Sequence, residues 1–217
     1  WTDYDNVRAP GFSRDYFPAL KAQTPVTDDA TGQYYDFASS TSTYKMVSCT
    51  NSAGCYITCP SSNSCDYMLI YAGKTDYLEV VCSGSSACNY MLITEGPVGG
   101  AATINCTAAL GAACFDSVFW LDEVSEVTVN CGAGSQSYYG GCNDLVLYGN
   151  NADSLTVNCL EAYSCYSAVF YVEHVTTEAR IVGLGSSSVS QSEIYGVDAA
   201  KLNVTCAAYA ACYYAEF

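Results

Sequence analysis

Ser154-Leu-Thr-Val-Asn-Cys159, five further residues, and then Cys165-Tyr-Ser-Ala-Val-Phe-Tyr-Val172 form the stretch that decides the fold. Leu155, Val157 and Cys159 alternate with Thr156 and Asn158, which is the period of a strand with one buried face. A short polar turn follows, and a second cysteine opens another apolar run. The same unit recurs along the chain. Leu78-Glu-Val-Val-Cys82 precedes Cys88, Ala102-Thr-Ile-Asn-Cys106 precedes Cys114, and Val127-Thr-Val-Asn-Cys131 precedes Cys142. Leu202-Asn-Val-Thr-Cys206 precedes Cys212, and an early copy runs from Cys55 through Cys59 to Cys65. From Cys59 to Cys159 the first cysteines lie 23, 24, 25 and 28 residues apart. Periods in that range signal a solenoid.

Val, Ile, Thr and Tyr dominate the copies, as strands prefer, and no stretch keeps helical spacing. We therefore expect an all-β chain. Residues 46–217 are predicted as a disulfide-stapled parallel β-helix of about seven coils, with 22–28 residues per coil. The expected coil has three short faces and a right-handed turn. An antiparallel sandwich is the alternative, but it does not predict near-constant coil length. Residues 1–45 lack cysteine and are expected as an extended N-terminal arm or cap. Their apolar content is too high for a solvated linker.

One coil, 179–198, lacks both cysteines and is expected to place Gly183 or Leu184, and Ser190, at the vacant positions. Loss of both together suggests that the two pair with each other. Cysteines stacked in adjacent coils also fall within disulfide reach, at about 4.8 Å between Cα atoms. The blank coil, however, separates Cys159 from Cys206 by about 9.6 Å, which is too far. The predicted pairs are Cys49–Cys55, Cys59–Cys65, Cys82–Cys88, Cys106–Cys114, Cys131–Cys142, Cys159–Cys165 and Cys206–Cys212.

Fourteen regularly spaced cysteines predict an oxidising, extracellular setting, secreted or at a cell surface. Cys-x2-Cys pairs are absent and His174 is the single histidine, so zinc-site spacing is missing, and no metal or other cofactor is expected. A net charge of −15 with seven basic residues argues against nucleic acid as a partner. No apolar run approaches the ~18 residues of a spanning helix, so membrane insertion is not expected. No leader is visible, and the chain is read as mature. Phe217 falls inside the strand that Cys212 opens, with no polar cap after it, so another subunit or a further domain is expected to cover that coil.

Two sequons, Asn105-Cys-Thr107 and Asn203-Val-Thr205, lie on the outward side of the first strand and are candidate N-glycosylation sites. That side forms two columns, Glu79/Thr103/Thr128/Thr156/Asn203 and Val81/Asn105/Asn130/Asn158/Thr205. The threonine column resembles that of insect antifreeze proteins, which makes an ice- or carbohydrate-binding module the alternative function. Side-chain hydrogen-bond ladders explain the same columns without a ligand. Asp116 and Asp144 occupy equivalent places beside Tyr67, Tyr90, Ser167, Ser192 and Tyr214, and Glu95, Asp122, Glu173 and Asp198 form a second acidic series. Both are expected to be turn acids. A polysaccharide-active enzyme needs a carboxylate pair or a base with a cation, and no such set assembles, so no catalytic residues are assigned.

The Val-x-Cys-x5-Cys pattern over 49–217 resembles the cysteine-rich parallel β-helix proteins of protist and algal surfaces, which include subunits of glycosylated extracellular fibrils. That resemblance implies glycan decoration and self-association into a homopolymeric filament or surface appendage, with residues 1–45 bridging protomers. Trp1, Tyr4, Phe12, Tyr16 and Phe17 in the arm, and Tyr213, Tyr214 and Phe217 at the other end, are the candidate polymer contacts.

Overall fold

The computed structural model describes residues 21–38, 44–108, 111–132 and 140–216. Among them there is no helix. The strands are β1 (Lys21–Ala22), β2 (Thr27–Asp29), β3 (Gly32–Asp36), β4 (Lys45–Ser48), β5 (Cys55–Cys59) and β6 (Leu69–Tyr71). They continue with β7 (Tyr77–Cys82), β8 (Leu92–Glu95), β9 (Ala101–Thr107), β10 (Val118–Trp120), β11 (Glu126–Gly132) and β12 (Val146–Tyr148). The last are β13 (Ser154–Cys159), β14 (Val169–Tyr171), β15 (Glu178–Gly183), β16 (Glu193–Tyr195) and β17 (Leu202–Cys206).

Two sheets result. One has nine strands in the order β17-β15-β13-β11-β9-β7-β5-β3-β2, and the other has eight in the order β1-β4-β6-β8-β10-β12-β14-β16. Every pairing is parallel except β2 with β3, so the chain is a β-solenoid in which each coil contributes one strand to each sheet. The register is that of the cysteines: Cys59 pairs with Cys82, Cys82 with Cys106, Cys106 with Cys131, and Cys131 with Cys159.

The third of the expected faces is built of turns and is not a sheet. It is a stack of turns in which residues with positive φ alternate with ordinary ones, as at Asn63, Cys65 and Tyr67 or Ser86, Cys88 and Tyr90. The alternation turns successive N–H and C=O groups along the solenoid axis, toward the neighbouring coils. Cys88 N–H donates to Ser64 C=O, Tyr67 N–H to Asn89 C=O and Asp116 N–H to Asn143 C=O. Left-handed non-glycine residues are costly alone, but here many of them, such as Asn63, Tyr67, Cys88 and Asp116, donate a coil-to-coil hydrogen bond.

Inside, β-alternation puts Ile57, Val80, Ile104, Val129, Val157 and Ile181 in one buried column. The middle residues of the other sheet, Val47, Ile70, Ile93, Phe119, Leu147, Phe170 and Ile194, face them from the opposite side and are also buried. All seven disulfides lie within single coils, with Cα separations such as 6.0 Å for Cys59–Cys65 and 5.6 Å for Cys131–Cys142. No cysteine is free.

The sheets also reach N-terminally of residue 46. β1 pairs in parallel with β4, β3 pairs in parallel with β5, and β2 folds back antiparallel on β3 at the edge. Residues 21–38 therefore belong to the two sheets, although this stretch lacks the cysteines that mark the other coils. Residues 1–20 lie outside the described part.

Candidate functional site

The sequence points to three surfaces: the outer face of each sheet, and the coil that β17 closes. On the outer face of the nine-stranded sheet, Thr103, Thr128 and Thr156 stand in register between Glu79 and Arg180. Beside them Asn158 Nδ2 donates to Asn130 Oδ1 at 2.8 Å, and Asn130 Nδ2 donates to Asn105 Oδ1 at 2.7 Å. The asparagine column is thus a hydrogen-bonded ladder, and the flat Thr/Asn surface extends over only three coils. Asn105 ends the ladder, so its own Nδ2 has no partner among the described residues and faces the Val81 coil. Asn203, the second sequon residue, is half-buried in the edge strand β17, with Glu178 Oε1 at 3.5 Å from its Nδ2.

The acids prove to be linked to the coil-to-coil bonding. Asp66 Oδ1 accepts Asn89 N–H at 3.1 Å, and Asn89 Oδ1 in turn accepts Phe115 N–H at 3.0 Å. Burial pushes Asp66 up to about 6, against the lowering effect of the Asn89 bond. Asp122 accepts Asn150 N–H at 3.0 Å and Trp120 Nε1–H at 2.8 Å, and burial still raises it above the usual carboxylate range. Asp116 and Asp144 stack in adjacent turns. Burial, then the charge of Asp144, pushes Asp116 up to about 6, and burial raises Asp144 as well.

Three expected placements change. In the turn column that holds Asp116 and Asp144, Gln191 rather than Ser192 takes the equivalent place, because Ser167 N–H donates to Ser190 C=O and Gln191 N–H to Tyr213 C=O. In the blank coil, Gly183 pairs with both Cys159 and Cys206, and Val189 rather than Ser190 occupies the second cysteine position. The series Glu95, Asp122, Glu173 and Asp198 is not one column. Glu95 stands at the end of β8, Asp122 aligns with Asn150 and Glu173, and Asp198 aligns with His174, whose Nδ1 lies 3.8 Å from Asp198 Oδ2 on the exposed surface. Turns of unequal length shift these positions, which spacing alone does not reveal.

Sulfur atoms of neighbouring coils approach within 4.8 Å at Cys59, Cys65 and Cys88, and again at Cys82, Cys106 and Cys114. All six belong to disulfides, and oxidised sulfur is not the thiolate that binds zinc.

The outer face of the eight-stranded sheet carries a further apolar row. Val118 and Val146 form a cluster separate from the core, with Leu92, Val169, Tyr148 and Tyr171 packed against it. Alongside runs an aromatic stack: Trp120 on Tyr148 at 4.4 Å, Tyr148 on Tyr171 at 4.7 Å, and Tyr171 on Tyr195 at 4.9 Å. The signal was present in the runs Val-Phe-Trp, Val-Leu-Tyr and Val-Phe-Tyr, which are apolar at every position instead of alternating. Such runs are typical of parallel strands covered on both faces.

The coil of β17 differs from those before it. Leu202 is 37 % exposed, whereas Ala179 and Leu155, at the same position one and two coils earlier, are fully buried. Cys206 is exposed, Tyr209 is 90 % exposed, and the candidate contacts Tyr213 and Tyr214 are exposed with ring centroids 4.1 Å apart. The candidates Trp1, Tyr4, Phe12, Tyr16, Phe17 and Phe217 lie outside the described residues. No helix among those residues is long and apolar enough to cross a membrane. Compared with protein-family models, curated proteins and solved structures, the chain has no match.

Proposed function

We propose that the protein is a structural, non-catalytic subunit of an extracellular homopolymeric filament or cell-surface appendage, with solenoids joined head to tail. The observation that carries this reading is the pair of continuous parallel sheets, in which each coil presents to the next the same ladder of backbone donors and acceptors. An open parallel edge with exposed apolar side chains is a template for a further coil. A head-to-tail contact of that kind propagates as a filament when its rotation does not close. Seven disulfides suit an oxidising, extracellular or secreted environment. Engagement of Asp66 and Asp122 by neighbouring backbone N–H groups favours a structural role for those acids over a catalytic one. Glycan at Asn105 fits the reading, since its Nδ2 is the one ladder nitrogen without a partner among the described residues.

Negative-stain electron microscopy of the non-reduced protein tests the proposal. Filaments are expected from the wild type and none from Leu202→Lys with Tyr209→Lys. Discrete monomers of the wild type at all concentrations would overturn it, and would pass the functional role to the Thr/Asn face as an ice- or carbohydrate-binding surface.

A further inference from the structure

We propose that Trp120, Tyr148, Tyr171 and Tyr195 form a one-electron relay, which carries an oxidising equivalent from the indole of Trp120 to the phenol of Tyr195 and makes Tyr195 a site of oxidation to a phenoxyl radical. The co-reactant is a one-electron oxidant, of the class of inorganic or peroxidase-derived radicals. The inference does not depend on how copies of the chain associate.

Apart from thiols, indole and phenol are the side chains that give up one electron most readily, and no cysteine here is free. The four rings stand in register on β10, β12, β14 and β16. Their centroids are 4.4, 4.7 and 4.9 Å apart and their planes lie within 12° of parallel, so charge passes between rings in face contact. Trp120, Tyr148 and Tyr171 are half-buried, within reach of a small oxidant. Two other tyrosine columns are interrupted. Tyr44, Tyr67 and Tyr90 stack, but Tyr90 then meets Phe115 edge-on, and a phenylalanine ring does not yield an electron to such oxidants. Tyr34 stacks on Tyr56, but Tyr77 is tilted from Tyr56 by 51°. Stacking by itself follows from strand spacing and serves packing, so a second feature has to distinguish a relay.

That feature is a proton acceptor at each of the two rings between which the charge moves. An oxidised indole or phenol is a strong acid, and a positioned base lowers the barrier to its oxidation. Trp120 Nε1–H donates to Asp122 Oδ2 at 2.8 Å, and Tyr195 hydroxyl donates to Glu193 Oε2 at 2.7 Å. The hydroxyls of Tyr148 and Tyr171 donate to no carboxylate among the described residues. The hydrogen bond to Glu193, and then the Glu193 charge, push the Tyr195 phenol up to about 12, so it keeps its proton until the electron leaves. The oxidant takes one electron from Trp120, whose Nε1 proton passes to Asp122. An electron from Tyr195 refills the indole through Tyr171 and Tyr148, and Asp122 returns the proton to Nε1. The phenolic proton of Tyr195 passes to Glu193. The products are a neutral Tyr195 radical, a protonated Glu193 and the oxidant reduced by one electron. Phenoxyl is the more stable of the two neutral radicals, which sets the direction.

The test is pulse radiolysis of the full-length, non-reduced protein with the azide radical as oxidant. All proteins carry Trp1→Phe, which leaves Trp120 as the single indole. Decay of the indolyl absorption and growth of the phenoxyl absorption are expected at one rate, independent of protein concentration. Tyr171→Phe keeps a ring in the stack but interrupts the relay, and Tyr195→Phe removes its terminus, so each should abolish most of that fast phase. Glu193→Gln should slow it about tenfold or more, as loss of a positioned proton acceptor does. Glu216→Gln removes the same charge from the position paired with Glu193 and should leave the rate unaltered. These substitutions are conservative, and an intact disulfide-bonded mass with an unchanged melting temperature checks that each variant is folded. A concentration-dependent rate, or a fast phase that survives Tyr171→Phe and Tyr195→Phe, would overturn the relay. Equal slowing by Glu193→Gln and Glu216→Gln would overturn Glu193 as the proton acceptor.

Discussion

The coil built on β15 and β16 has no disulfide, yet it keeps the register of the stapled coils on both sides. β13, β15 and β17 pair continuously, with Gly183 placed between Cys159 and Cys206. Where its neighbours put a sulfur bridge, this coil packs Val189 against Gly183. A Cβ built on Gly183 would sit 2.9 Å from Val189 Cγ2 and 2.7 Å from Ser188 Oγ, so glycine is what the close approach requires. The turn is otherwise kept, with positive φ at Ser187 and Gln191 as at Tyr163 and Ser167 one coil earlier. The comparison teaches that the staples do not define the coil. Strand alternation and the hand of the turn residues define it, and the disulfides lower the entropy of the unfolded chain.

The largest way to break this comparison is to remove a staple. Cys82→Ala with Cys88→Ala should cost about 2 kcal/mol from closing a short loop in the unfolded state, and more from the packing lost with two buried sulfurs. Guanidinium unfolding of the non-reduced protein would show it, and the register should survive, as it does around Gly183. The converse is to staple the blank coil. Gly183→Cys with Val189→Cys should form an eighth disulfide and add about 2 kcal/mol, read by peptide mapping and the same unfolding curves. Failure to oxidise would mean that the two positions are not equivalent to Cys159 and Cys165.

A pH test compares a stapled turn with itself. Asp116 stands at about 6 when folded and at its ordinary 3.8 when unfolded, so the native state binds the proton more tightly. Its contribution is therefore most favourable below pH 4 and is lost as pH rises through 6. Asp116→Asn should raise stability at pH 7 by about 1 kcal/mol, after discounting for the solvent that screens a half-exposed group. That gain should vanish near pH 4, and calorimetry at the two pH values checks it.

The smallest effect compares two equivalent serines. Ser164 Oγ donates to Glu161 C=O at 2.8 Å, whereas Ser188 Oγ, buried in the blank coil, has no hydrogen-bond partner among the described residues. Ser164→Ala should cost about 0.5–1 kcal/mol, while Ser188→Ala should be neutral or gain a similar amount, because a buried unpaired hydroxyl is itself a cost. Equal losses at both positions would show that Ser188 finds a partner in solution.

Much of the architecture was legible in the chain. Alternation in Leu155-Thr156-Val157-Asn158-Cys159 named the strand, and the cysteine interval named the solenoid. Both follow from local geometry, since a period of two and a fixed repeat length survive in one dimension. The same logic placed Thr103, Thr128 and Thr156 in one column and Asn105, Asn130 and Asn158 in another. It failed at the turns. Moving the vacant cysteine place from Ser190 to Val189 displaces every later assignment in that coil by one residue, which is why Ser192 was put where Gln191 stands. Nor did it place β3, which pairs in parallel with β5 inside the stretch 1–45 that holds no cysteine.

The candidate surface was less legible than the fold. Composition shows many tyrosines but not which of them share a face. Tyr148, Tyr171 and Tyr195 stack because parallel strands about 4.8 Å apart bring identical positions to ring-stacking distance, and that spacing exists only once the coils have closed. Chain chemistry thus decided the repeat, the strand faces, the acidic charge and the pairing of the cysteines, all of which depend on residue type and spacing. Tertiary packing decided which turns carry positive φ, which acids accept coil-to-coil bonds, and which apolar row faces outward. Those depend on how one coil lies upon the next, and no single coil contains that information.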